Sequence, residues 1–363
     1  VRGSQLAETK RQVQIIGDVV FFSYAPIAEF NRYEEIYVWD LDKTYLDTHW
    51  QSLRDIFRAS FADNYHKNNV PGTATLVNCL KQSWQQRKGD VPFPIFFITA
   101  SPPQMEKKIR DKLLSDEILP LGIFFKDNLK NLRPGRFWKL RQHVGFKVTA
   151  LLYLRTLLKP EITQVLWGDD SETDAVIYSL YSDICARRLR DEECEKVLKL
   201  FNVTGDQLQR VLSTQQQVPE LDPVEKIYIN LAVDTDPEYY MKFGRRMIPS
   251  YNALQTALDL LQDNRLGLEH VIRVGRDLVT NYGFTVDELQ RSLDDMIRRQ
   301  VIGEQTFHRL VQPFIDHGLI NQDYVPSIPP SKITSDVGDR VFEISGVHEP
   351  WVPERIDYFH DYR

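Results

Sequence analysis

Ile36-Tyr37-Val38-Trp39-Asp40-Leu41-Asp42-Lys43-Thr44 is an apolar run that ends in two carboxylates one residue apart, with a hydroxyl two residues on. An apolar stretch of this length closed by polar residues reads as a buried strand of a parallel sheet. In such sheets the reactive groups collect beyond the carboxyl ends of the strands. The paired acids suit phosphoryl transfer at that place. One carboxylate attacks phosphorus, and the other protonates the departing oxygen and later activates water. The same letters taken alone also describe an acidic turn in which Asp42 or Thr44 caps a helix.

Outward from this stretch the pattern repeats. Short apolar runs at Val13–Ile16, Val19–Phe22, Ile95–Ile98, Gly122–Phe125 and Gln164–Trp167 alternate with helical candidates at 51–66, 74–87, 103–115 and 144–158. This alternation predicts an α/β fold, a Rossmann-like core over 1–190 with a parallel sheet and helices on both faces. Three further motifs follow the first in order. Ile95–Ile98 ends in Thr99-Ala100-Ser101-Pro102, where a hydroxyl can donate to a phosphoryl oxygen or cap a helix with proline at its first position. Lys147 opens an apolar helix and can neutralise charge on a nucleophile and a phosphoryl group; Lys126 and Lys139 compete for that role. Val165-Leu166-Trp167 runs into Gly168-Asp169-Asp170, with Asp174 close behind. The glycine is read as permitting a sharp turn. The acids suit a hard divalent cation or, more simply, complement the dipole at a helix N-terminus.

The order and wording of these four motifs resemble the haloacid-dehalogenase (HAD) superfamily over about residues 36–190. Within it they are most similar to the phosphatidate phosphatase catalytic domain of the actin-patch type. The carriers are Asp40-Leu41-Asp42-Lys43-Thr44, Pro71-Gly72, Thr99-Ala100-Ser101-Pro102, Lys147, and Gly168-Asp169-Asp170 through Asp174 to Ile177-Tyr178. Lys43 stands where that family often has a second Asp, Asp170-Ser171 replaces Ser-Gly, and Thr99 replaces a Ser. The resemblance implies a Mg²⁺-dependent phosphatase with Asp40 as nucleophile and Asp42 as general acid and base. Thr99 would bind the phosphoryl group, and Lys147 its charge. The implied metal set is Asp40, the backbone carbonyl at Asp42, and Asp169, with Asp170 or Asp174 supporting through water. An acid at position 42 argues against a dehalogenase, which has no leaving oxygen to protonate, and the string is not the DKTGT of cation-pumping ATPases.

Beyond residue 190 strand alternation fades. Leu254, Ala257, Leu258 and Leu261 share one helical face, Leu289, Leu293, Met296 and Ile297 another, and Thr285-Val286-Asp287-Glu288 reads as a capping box. A mostly helical accessory region over 191–325 is expected, acting as a lid, a core-completing element or a partner-binding module. A proline-rich extended arm over 326–363 follows.

The 363 residues, 42% hydrophobic and 26% charged, read as a soluble folded protein. A net charge of −6 argues against nucleic acid as a partner, because phosphate neutralisation needs a basic surface. Three cysteines with no metal spacing suggest a reducing compartment, and no apolar run has the length of a membrane span. The N-terminus lacks an initiator Met and a signal-peptide core and reads as a truncation or cloning remnant. A cytoplasmic location is the default expectation, with contact at a membrane surface in view. The connectors between motifs are too short for a large cap domain, so an open site and a phosphorylated lipid, protein or other large substrate are expected, unless the C-terminal region supplies the lid. Residues 126–147 carry seven basic residues against Asp127 alone, with Phe137 and Trp138 among them. Such a connector suits peripheral contact with an anionic membrane, or a solvated loop whose field draws phosphate in. The alternative to an enzyme is a non-catalytic interaction or scaffold protein that retains the fold; intact Asp40, Asp42, Lys147 and Asp169 favour catalysis.

Overall fold

The computed structural model describes residues 11–47, 68–127, 142–171, 173–328 and 350–360, together with the backbone at 343–344 and 347–348. The helical candidate at 51–66, most of the basic connector with Lys139, and Glu172 lie outside the described residues.

Eight strands form one sheet. They are β1 (Gln12–Ile16), β2 (Val19–Ser23), β3 (Glu35–Asp40), β4 (Ile95–Thr99), β5 (Gly122–Lys126), β6 (Thr163–Asp169), β7 (Val224–Asn230) and β8 (Met247–Ser250). Their order is β1-β2-β5-β4-β3-β6-β7-β8. All neighbours from β5 to β8 are parallel, while β2 runs antiparallel to both β1 and β5. The sheet is therefore mixed, with an antiparallel edge on a parallel core. The apolar runs of the sequence lie within β1 to β6. Helices α1 (Thr73–Lys88), α2 (Glu106–Ser115), α3 (Gln142–Thr156) and α4 (Asp174–Cys185) connect or follow the parallel strands.

The path of the chain locates the site. From β3 it winds outward through β4 to β5, then returns to the other side of β3 and continues outward through β6, β7 and β8. The order reverses between β3 and β6, and the crevice at such a switch point is where open α/β sheets bind ligands. Aromatic side chains floor this part of the sheet. Trp39 stacks on Trp167 with centroids 4.5 Å apart, and Trp167 stacks on Tyr228 at 4.8 Å. These three residues are in register on β3, β6 and β7, so their faces meet across neighbouring strands and stiffen the segments that carry the acids.

The region beyond residue 190 is largely helical, as expected, but it also contributes β7 and β8, which the residue pattern did not disclose. The reason lies in Glu225 and Lys226, which interrupt the apolar run of β7. The ammonium of Lys226 is buried because Asp259 and Asp263 neutralise it, the latter at 2.5 Å. Helices α5 (Asp191–Leu200), α6 (Gly205–Gln215), α7 (Ala253–Gln262), α8 (Leu268–Tyr282), α9 (Val286–Arg298) and α10 (Glu304–Asp316) complete the region. The two predicted apolar faces are buried on α7 and α9. The capping box of α9 is formed: Thr285 Oγ1 accepts from Glu288 N at 3.2 Å, and Glu288 accepts from Thr285 N at 2.7 Å. A Cβ on Gly72, at the entry to α1, would meet Ala253 Cβ at 2.9 Å and Leu278 at 3.0 Å, so α7 and α8 lie directly on this turn.

The described part of the C-terminal arm is extended and docked. Arg245 N and Arg246 N donate to the carbonyls of Pro350 and Trp351 at 3.1 and 3.2 Å, and buried Tyr358 donates to Asp183 on α4 at 2.5 Å. Among the described residues no helix is long and apolar enough to cross a membrane.

Candidate active site

Asp40 is the last residue of β3, Thr99 of β4 and Asp169 of β6. Three adjacent strand ends thus present a carboxylate, a hydroxyl and a carboxylate at the switch point. Lys147 enters from the second turn of α3, and its fully buried ammonium lies 2.7 Å from Asp40 Oδ1 and 2.5 Å from Asp174 Oδ1. A buried lysine is tolerated only when paired, and here two carboxylates share it. Thr44 Oγ1 donates to the other oxygen of Asp40 at 3.3 Å. The expected nucleophile is therefore held on both oxygens, one by a cation and one by a hydroxyl.

Asp42 lies beyond the strand end, also buried, and accepts a hydrogen bond from Thr99 Oγ1 at 2.6 Å. Thr99 Oγ1 in turn accepts from Ser101 N at 3.0 Å. The resemblance gave Thr99 to the phosphoryl group, whereas in this structure its only hydroxyl proton orients Asp42. Ser101 is buried beside it, at the start of the chain leading to α2.

Gly168 has a different use from the expected sharp turn. It lies inside β6, and a Cβ there would collide with the Cβ and carboxylate of Asp174. Glycine at 168 lets the first turn of α4 press against the strand, which brings Asp174 to Lys147 and lets its Oδ2 accept from Asp169 N at 3.2 Å. Two loop residues accept backbone strain to make these turns. Lys43 has φ 60° and Thr173 φ 66°, the latter a costly angle for a β-branched residue.

One carboxylate oxygen from each of Asp40, Asp169 and Asp174 lies within 4.8 Å of the others. Three buried carboxylates facing one ammonium leave an excess of negative charge in a site with little solvent. An all-oxygen donor set of this kind fits a hard divalent cation. The metal contact expected of Asp42 is through its backbone carbonyl, and its carboxylate is engaged by Thr99. The Asp170 carboxylate turns to the loop after β7, where it accepts from Ala232 N at 2.7 Å and from Thr235 Oγ1. The support expected of Asp170 is thus given to a loop, and Asp174 is the acid that converges with Asp40 and Asp169.

Several site residues escaped the sequence reading. Asn230, the last residue of β7, donates from Nδ2 to Thr44 O at 3.1 Å, and its carbonyl accepts from Asp170 N at 3.0 Å. It ties the first and fourth motif loops together from a strand that was not recognised, so no pattern pointed to it. His143, one turn before Lys147 on α3, is held well below the usual histidine range by burial, then by the fields of Lys126 and Lys147. It is a neutral ring beside the site. Its spacing from Lys147 on a helix was the available signal.

A parallel sheet whose central strand ends assemble paired acids, a hydroxyl, a buried lysine and a converging acidic triad has the equipment of a phosphatase. Residues 36–189 match the family described as phosphatidate phosphatase APP1, catalytic domain, the family that the motifs resemble. No curated protein and no solved structure matches the chain.

Proposed function

We propose that the chain is a HAD-type, Mg²⁺-dependent phosphomonoesterase that acts through a phospho-aspartate at Asp40, on phosphatidate or another large phosphorylated substrate. The observation that carries the reading is the buried lysine shared by Asp40 and Asp174 at the switch point. Buried ion pairs add little net stability, and hydrophobic packing of the same volume often does better. Such a cluster is more readily understood as machinery than as a scaffold feature, which weighs against a non-catalytic role. The phosphatidate assignment is supported by the family match and by the short connectors between motifs.

In this mechanism Asp40 attacks phosphorus and the bond between phosphorus and the ester oxygen breaks. Protonated Asp42 gives its proton to the departing alkoxide. Water then attacks the phosphorus of the acyl phosphate, Asp42 takes the proton of that water, and inorganic phosphate leaves as Asp40 is restored. Thr99 orients Asp42 for both transfers, and Lys147 balances negative charge on Asp40 throughout. A Mg²⁺ ion held by Asp40, Asp169 and Asp174 would neutralise the phosphoryl oxygens.

Phosphatase activity is expected to vanish in a chelator and return with Mg²⁺. Ca²⁺ should support it poorly, because its looser, higher coordination misplaces the reacting oxygens. Full activity in chelator, measured on phosphatidate dispersed in detergent and on a chromogenic phosphomonoester, overturns the metal assignment.

Asp42→Asn is expected to slow alkyl phosphates by about 10²–10⁴-fold and to slow aryl phosphates with acidic leaving groups much less in the first step. Phosphoenzyme should accumulate, since water activation is also impaired. A uniform loss across leaving groups with no phosphoenzyme in acid-quenched samples contradicts the role given to Asp42.

A further inference from the structure

Lys43 and Ser171 lie on two loops far apart in the chain, the first after β3 and the second after β6. They are also two positions at which the motifs depart from the family they resemble, with Lys in place of Asp and Ser in place of Gly. In the folded protein the two departures touch. Lys43 turns at φ 60°, its N–H donating to Leu46 O at 2.7 Å. Its exposed side chain crosses to the β6 loop, where Nζ donates to Ser171 Oγ at 3.0 Å.

A serine hydroxyl has one proton to give and can also accept, whereas an ammonium can only donate. Lys43 therefore takes an acceptor position of Ser171 Oγ and leaves the hydroxyl proton for another partner. That partner is Asp169 Oδ1, which also accepts from Ser171 N at 2.5 Å. Two donors from one residue thus fix the plane of the Asp169 carboxylate. The frame around this contact is held independently. Asp170 is anchored to the loop after β7 by Ala232 N and Thr235 Oγ1, and Asn230 ties Thr44 O to Asp170 N from the sheet side. Lys43 and Ser171 are both exposed, so their contact can set the angle of one side chain without carrying the fold.

Lys43 acts on a nearby cation in two opposed ways. Its charge repels a metal ion, and its hydrogen bond orients a group that orients a metal ligand. An exposed ammonium is screened by water and salt, which makes the repulsion small. Outer hydrogen bonds to metal ligands are worth about 10–100-fold in metal affinity. Orientation is the larger effect.

We propose, on the metal reading given above, that Ser171 is a positioning residue that sets the Asp169 carboxylate for Mg²⁺, and that Lys43 is the latch that keeps the Ser171 hydroxyl donating to it.

The test measures Mn²⁺ binding to the full chain without substrate, from the electron paramagnetic resonance signal of the free ion, and Mg²⁺ binding by competition. Ser171→Ala should weaken both ions by about tenfold, the low end for an outer ligand, because the Ser171 N–H remains. Lys43→Met should weaken them by about threefold in the native background. In the Ser171→Ala background the same change should leave affinity unchanged or raise it, since only the repulsion of an ammonium is then removed. Lys43→Arg, which can still donate to Ser171 Oγ, should bind like wild type. Thermal melts in chelator should coincide for all the variants. Equal affinity in wild type and Ser171→Ala, or a Lys43→Met effect that is the same in both backgrounds, overturns the proposal. A wild-type chain that binds neither ion overturns the metal reading itself, and this proposal with it.

Discussion

Asp40→Asn is expected to lower turnover by at least about 10³-fold while the protein stays folded, since removal of a nucleophile that acts within a unit forfeits most of the catalysis. The amide occupies nearly the same volume at the end of β3 and can still accept the hydrogen bond of Thr44 Oγ1, 3.3 Å away in the native site. Lys147 loses one counter-charge but keeps Asp174 at 2.5 Å, so the buried ammonium is not left bare. Lost with the carboxylate is the lone pair that, in the proposed mechanism, forms the bond to phosphorus. Circular dichroism and a thermal melt should resemble wild type, and acid-quenched samples should contain no phosphoenzyme. Turnover within tenfold of wild type would show that phosphate leaves by direct attack of water.

A chain ending near residue 190 is expected to be insoluble or unfolded, an effect as large as the first but on stability. The parallel pairing of β6 with β7 runs from Gln164–Val224 to Asp169–Asn230, and β8 covers the outer edge of β7. Without these strands the backbone of β6 becomes an open edge beside the acids it carries, and the ring of Trp167 loses Tyr228. Leu254, Leu258, Leu289 and Leu293 are fully buried, and the surfaces they cover would be exposed. Each such leucine contributes roughly 1.5–3 kcal/mol, more than a domain of modest net stability can lose several times over. Asn230, Ala232 and Thr235 would also be gone, and with them the contacts that hold Thr44 and Asp170. The competing expectation, in which the region is only a lid, requires a soluble truncated chain that still cleaves a small chromogenic phosphate but loses affinity for a large substrate. Sedimentation of the expressed protein followed by that assay separates the two. A soluble product with unchanged kinetics on every substrate contradicts both.

What could be read from the residues alone was whatever depends on near neighbours in the chain. Apolar runs closed by acids or hydroxyls marked β3, β4 and β6, because a strand buried on both faces has to be apolar along its length. The motifs at their ends supplied Asp40, Asp42, Thr99, Lys147 and Asp169 in order, and the box at Thr285 and Glu288 marked the start of α9, since each of these is a local arrangement. The contacts between motifs were beyond reach. Strand β7 was hidden because Lys226 looks like a surface residue until Asp259 and Asp263, more than thirty positions away, neutralise it in the interior. Gly168 was read as a turn because its requirement comes from the Asp174 side chain lying against it, a clash that exists only once α4 packs on β6. Asp170 follows Asp169 directly and Asp174 stands five residues on, yet the backbone path through Thr173 turns the more distant acid toward Lys147 and leaves the nearer one facing the loop after β7. Where a buried charge finds its partner is settled by pairings across the sheet, and those pairings arise only when distant segments fold together.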